Sequence, residues 1–311
     1  MGYKAKINIM NSEINSEKIK PRNPKLAFLF ALFGPGFGQI YNGQIKKGII
    51  FLVIELLLPV LYGLTKLGVF FVGFISILVI DFSYRIYLIY DATTNAKKLK
   101  AFIPKPYNTW YYFLAIIVGI YTILWFYDTN SIVGVKSFKI PTTSNEPTIK
   151  VGDKVIADLK AFDNIKPNYG DIVIFQKKDS LHPWIYRIVG LPNDRLEIQN
   201  NFLIINGKKC KTLFIKETKS EEFDVKEYEE ELPNGHKHKI FTFKKPFEDN
   251  ENAEHEIIIP KNSYYLMGDN RDNAMDSRYI GVLNEDEIKG KVMFSYWGES
   301  NDRINIDFRN K

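Results

Sequence analysis

The sequence predicts a mixed membrane protein: N-terminal transmembrane helices followed by an all-β domain. Three observations carry this. Apolar runs crowd the first 127 residues and are flanked by basic segments. From Phe138 onward short β-prone runs alternate with Gly-Asp and Asn-Asn turn signals. A hydrophobic content of 45% with 14% aromatic residues excludes a disordered chain.

Residues 1–25 form a basic tail with six Lys/Arg against two acids. Leu26 to Tyr41 is apolar but interrupted by Gly34-Pro35-Gly36 and Gly38. A helical crossing of a bilayer about 30 Å thick takes roughly 20 residues, so these two short arms predict an interfacial or re-entrant hairpin. Three spans follow: Ile49 to Leu64, apolar apart from Glu55; Leu67 to Ile80, ending towards Asp81 and Arg85; and Trp110 to Tyr127, with aromatic residues at both ends. The first two are also of a length that buried helices reach. Residues 26–127 therefore read as the membrane region, a hairpin plus about three helices. Lys46-Lys47 and the four lysines of Ala96 to Pro106 mark the cytoplasmic side, together with the tail. Everything after Asp128 is then outside. Glu55 and Asp81 stand at or near membrane depth, where ionisable groups are costly.

The formal net charge of +6 raises the question of nucleic acid. Its placement answers for a lipid bilayer, because the cations flank the apolar runs while Glu221-Glu222 and Glu229 to Glu231 make the later half acidic. No nucleic-acid partner is implied. The lone Cys210 forms no internal disulfide and reads as structural. His236-Lys237-His238 is too sparse for a metal site, and no metal or cofactor is implied.

Residues 128–311 predict the β domain. Lys154 to Ala157, Ile172 to Phe175 and Ile185 to Val189 read as strands, and Asn200-Asn201 joins Arg195–Ile198 to Phe202–Ile205 as a hairpin. The charged stretch near 206–258 has few long apolar runs and reads as an inserted, partly mobile lobe. Tyr264 to Met267 and Lys289 to Phe294 are two more strands, and between them lies Gly268 to Gly281. Asp269, Asn270, Arg271, Asp276 and Arg278 place charges of both signs at small offsets there. That pattern suits a buttress of charge-assisted hydrogen bonds beneath a site. A second stretch, Pro141-Thr142-Thr143-Ser144-Asn145-Glu146-Pro147, holds a free hydroxyl in a proline-fixed turn just past the last span.

Three blocks in order carry a resemblance. Ser144 to Asp153, Tyr186 to Asp194 and Gly268 to Arg278 resemble the nucleophile, lysine and late boxes of bacterial type I signal peptidases. These are membrane serine endopeptidases that remove signal peptides from exported preproteins. The resemblance implies a multi-pass protein of the bacterial inner (cytoplasmic) membrane with its C-terminal β domain extracytoplasmic. It implies Ser144 as nucleophile and Thr142 as an oxyanion-hole hydroxyl beside the Ser144 N–H. Asp276 and Arg278 become the bracing acid and base, with Gly268 permitting close backbone approach and Arg187, Gly190, Pro192 and Asp194 framing the lysine box. The stretch Phe33 to Gln44 also resembles a small membrane module of various bacterial proteins.

Where this sequence departs from the pattern, the departures fall together. The family's general-base lysine precedes the box arginine, and here that position is Tyr186. The hydroxyl that orients the lysine becomes Ala274. Asn145 replaces the usual Met, and Asn193 the usual Gly. A phenol with reference pKa near 10 carries a penalty of about 4 kcal/mol as a base at neutral pH. Lys154, Lys177, Lys178 and His182 lie nearby, but four residues along a strand is ~13 Å, so none replaces the amine by spacing. Two readings stand: an impaired signal peptidase, and a non-catalytic signal-peptide-binding homologue.

Overall fold

The computed structural model describes residues 20–126, 132–178, 180–245 and 255–309. The predicted tail up to residue 19, the expected span end at Tyr127 and residues 246–254 of the lobe lie outside them. The chain divides into two compact units, one holding the described residues to Gly68 with 72–133, the other 69–71 with residue 134 onward.

In the first unit, α1 (Pro24–Phe33) and α2 (Phe37–Tyr41) are two short arms joined at Gly34 to Gly36. Asn23 caps α1 by accepting the Lys25 N–H at 2.9 Å. Gly36 takes φ +79°, and a side chain there would run into the Gly48 backbone. α3 (Ile45–Thr65) and α4 (Phe71–Lys98) are long and apolar enough to cross a membrane. α5 (Trp110–Phe126) has 17 described residues, the lower end of the length that crosses a bilayer. The second span therefore does not stop at Ile80: α4 runs on through Asp81 and Arg85. Partners on α3 explain this, since Arg85 pairs with Glu55 at 2.7 Å and the Tyr62 hydroxyl donates to Asp81 at 2.6 Å.

The second unit is built on antiparallel sheets. Its largest sheet has the order β1-β2-β14-β3-β4-β12-β13. The strands are β1 (Val135–Lys139), β2 (Lys154–Asp158), β3 (Ile172–Phe175), β4 (Trp184–Gly190), β12 (Ser263–Met267), β13 (Leu283–Asn284) and β14 (Ile288–Trp297). β3 and β12 are buried along their whole length, which is why they read as continuous apolar runs. β5 (Arg195–Gln199), β6 (Phe202–Ile205), β7 (Lys208–Lys209) and β11 (His255–Ile258) make a second sheet. Asn200 and Asn201 at φ +50° and +70° close its β5–β6 hairpin, a conformation Asn tolerates best after Gly.

The stretch near 206–258 is more regular than its composition suggests. β8 (Lys211–Ser220), β9 (Phe223–Glu231) and β10 (Lys237–Phe243) form a three-stranded sheet. Among the described residues, Val225, Phe241 and Phe243 make its buried apolar cluster. Long charged strands, paired over nine residues between β8 and β9 and seven between β9 and β10, replace an apolar signal with backbone hydrogen bonds.

Candidate active site

Ser144 lies in a tight turn leading from β1, closed by Glu146 N–H to Thr143 O at 3.0 Å and Ile149 N–H to Asn145 O at 2.9 Å. It faces a cavity of about 520 Å³. Thr142, Asn145, Ile185, Tyr186 and Met275 share the lining, with Phe138, Ile140 and Trp184 supplying apolar wall. Lys139 and His182 line it too. Gln176 to Lys178 and Ser180 to Pro183 lie outside any strand, so strand spacing does not govern the placement of His182 on this wall.

The turn is held from behind by the 268–273 segment. Asn270 donates its N–H to the Ser144 carbonyl at 3.1 Å, and its side-chain amide to Thr143 O at 3.2 Å. Asn273 donates to the Thr143 hydroxyl at 2.8 Å. Gly268 is where the two loops come closest. A Cβ there would stand 2.5 Å from the Ser144 carbonyl oxygen and run into the Ala274 side chain.

Below lies a buried network of charges. Asp276 accepts the Gly268 N–H at 3.0 Å and is chelated by Arg278 at 2.8 Å through both Nε and Nη2. Arg278 reaches on to Asn201 at 2.8 Å and to the Arg271 carbonyl. Arg187 grips Asp269 at 2.7 and 2.8 Å and donates to Gly170 O at 2.8 Å. Arg271 holds Glu230 at 2.5 and 3.2 Å. Buried ions of this kind persist only when each is paired and hydrogen-bonded. His238 sits among them, its Nε2 3.4 Å from Glu230. Burial, then the Arg187 and Arg271 charges, hold its pKa well below the ordinary value, so it is neutral.

Tyr186 enters from β4, packed against Phe175 and Trp184 with ring centroids 5.9 and 6.2 Å away. Ala274 belongs to the same apolar cluster. Burial, reinforced by the Asp276 charge, pushes the phenol pKa up to about 12. Hydrogen bonding to the Ser144 side chain and the Met275 backbone, and the Arg278 charge, pull the other way without offsetting it. The hydroxyl beside Ser144 is therefore a proton donor at neutral pH. Burial also pushes the Cys210 thiol up to about 12, which leaves it inert as a nucleophile.

Residues 108–297 match the family described as signal peptidase, peptidase S26, and this span is well over half the chain. The chain belongs to the signal peptidase family. It is 29% identical to signal peptidase IB of Staphylococcus aureus over 176 residues, covering 57% of this chain and 85% of that one. Against signal peptidase I U of Bacillus subtilis it is 30% identical over 187 residues, covering 59% and 88%. A crystal structure of a signal peptidase I from Enterococcus faecalis matches 40% of this chain and 96% of that chain, at 22% identity and a TM-score of 0.25. The family match begins at Asn108, so α1 to α4 stand outside it. It contains Ser144, Tyr186 and the whole of Gly268 to Arg278.

Several residues around this signal peptidase site escape a reading of the sequence. Asn201, Ser220 and Glu230 come from the hairpin and the three-stranded sheet. Glu230 is hidden in an acidic run that reads as solvated surface, yet it is fully buried. Nothing in its composition distinguishes it from Glu229 and Glu231.

Proposed function

We propose that the chain receives N-terminal signal peptides of exported preproteins in the Ser144 cavity, at the bacterial cytoplasmic membrane. α3, α4 and α5 cross that membrane as a multi-pass region that starts and turns on the cytoplasmic side, with the β domain on the outer side. Ser144 is the nucleophile, and Thr142 with the Ser144 N–H receives the developing oxyanion. Tyr186 stands where the family's general-base lysine belongs, and turnover is slow for that reason.

The observation carrying this reading is the Tyr186 phenol beside Ser144, its pKa pushed up to about 12. Attack requires the Ser144 proton to leave as the Oγ–carbonyl bond forms. A phenol of that pKa is ionised to about one part in 10⁵ at pH 7, a cost of roughly 7 kcal/mol. It stays protonated beside the serine and takes no proton from it. A site without its base keeps the smaller enhancement that comes from the oxyanion hole and binding. The second reading, a binding protein without turnover, is favoured by Ala274, since the subsite that would hold an amine is packed apolar.

Cleavage of a model preprotein by the full-length protein in detergent tests both readings. Wild type should give slow product above the Ser144→Ala background. Tyr186→Lys combined with Ala274→Ser should raise the rate by about 10²-fold or more, the usual worth of a positioned base. Product from the double variant but none from wild type favours the binding protein. If neither exceeds Ser144→Ala, the nucleophile assignment falls.

A further inference from the structure

The three-stranded sheet β8–β10 lies far along the chain from Ser144, yet it ends in hydrogen bonds to the turn that holds it. Ser220, the last residue of β8, is buried, and its hydroxyl donates to the Glu146 carboxylate at 2.5 Å. The same oxygen accepts from the Asn270 side-chain amide at 3.4 Å. Asn270 is fully buried and carries the N–H that bonds the Ser144 carbonyl at 3.1 Å. On its other side the segment is pinned by β10, where the Phe241 N–H donates to Asp269 O at 2.8 Å. The residues behind Ser144 are thus clamped between the nucleophile turn and the inserted sheet.

We infer that this sheet positions the nucleophile turn, with Ser220 as the positioning residue that ties Glu146 and Asn270 together. The inference rests on the reading of Ser144 as the reacting group only for its consequence in chemistry. The clamp itself is a matter of hydrogen bonds. A hydroxyl shared between a carboxylate and an amide fixes both ends of a short turn. Without it, the Glu146 carboxylate loses its one charge-assisted tie to the sheet and Asn270 is held by its remaining bonds alone. Small displacements of a reacting group cost far more in rate than in stability, so such a clamp acts on the site more than on the fold.

Hydrogen exchange of the full-length protein in detergent, followed over residues 142–149, tests this with Ser220→Ala and Ser220→Thr. Losing a hydrogen bond to a charged group should speed exchange there about tenfold in Ser220→Ala. Ser220→Thr keeps the hydroxyl and should match wild type, and exchange in β3 should be unchanged throughout. Binding of a fluorescent model signal peptide should weaken several-fold in Ser220→Ala and recover in Ser220→Thr. Unchanged exchange over 142–149 in Ser220→Ala would overturn the inference. So would equal acceleration in Ser220→Thr, equal acceleration in β3, or faster exchange with peptide affinity intact. If wild type binds no signal peptide, the proposed function falls while the exchange data still decide the clamp.

Discussion

Two neighbourhoods within one loop, residues 268–278, differ in kind. Around Asp276 and Arg278 buried charges are tied in a closed set of bonds that reaches Gly268, Arg271 and Asn201. Around Ala274 the same loop packs against aromatic rings, with no charge of its own. A saturated ionic network cannot lose one member cheaply, because the remaining charge is left buried and unpaired. An apolar contact can be rewritten by a compatible side chain at little cost. The contrast sets a wall whose charges hold one another in place against one that a compatible side chain can rewrite.

The largest effect is expected from Arg278→Met. It leaves the Asp276 carboxylate at 0% side-chain exposure with only backbone donors. Unfolding of the detergent-solubilised protein should lose about 3–5 kcal/mol, the usual cost of breaking a buried pair. Ala274→Ser, on the apolar wall, should cost less than about 1 kcal/mol. Equal losses from the two substitutions would show that the neighbourhoods do not differ in the way argued.

A smaller effect tests the apolar wall directly through pH. Tyr186 holds its proton to about 12 in the folded protein against near 10 when unfolded. Its folded pKa is raised, so the associated stability is fully present below pH 10 and is lost as pH rises towards 12. The amount is roughly 2–3 kcal/mol. The stability difference between wild type and Tyr186→Phe should therefore shrink across pH 10–12. Cys210 titrates over an overlapping range but is common to both proteins and cancels. A difference constant through that window would mean the phenol is not buried as described.

Much of the architecture is legible from residues because its signals are local. β3 and β12 are unbroken apolar runs, and Asn200-Asn201 announces its own hairpin. The three blocks around Ser144, Tyr186 and Gly268 can be read from the chain, and the structure brings them to one cavity. What stays hidden is long-range. The β8–β10 sheet has charged strands whose order comes from pairing, so its composition resembles a mobile lobe. Glu230 looks like its half-buried neighbours Glu229 and Glu231, and its long-range partners Arg271 and His238 separate it from them. His182 lines the cavity from a segment that is not strand, so a spacing of ~13 Å along a strand says nothing of where it lies.

The smallest expected effect concerns Asn193. Asn193 stands where the resemblance leads one to expect Gly, in the turn that ends with Asp194. The backbone there is at φ +71°, the left-handed region that Gly adopts freely and Asn tolerates better than most residues. Its N–H still reaches the Ile259 carbonyl at 2.9 Å, and Asp194 accepts the Leu191 N–H at 2.8 Å, so the turn closes as a Gly turn would. Asn193→Gly removes a modest conformational strain and adds freedom to the unfolded chain, two terms of opposite sign. The net change should stay within about 0.5 kcal/mol by denaturant unfolding. A loss above about 1 kcal/mol would mean that the Asn193 side chain supports the turn. Position 193 would then have a structural task of its own beyond adopting the left-handed backbone.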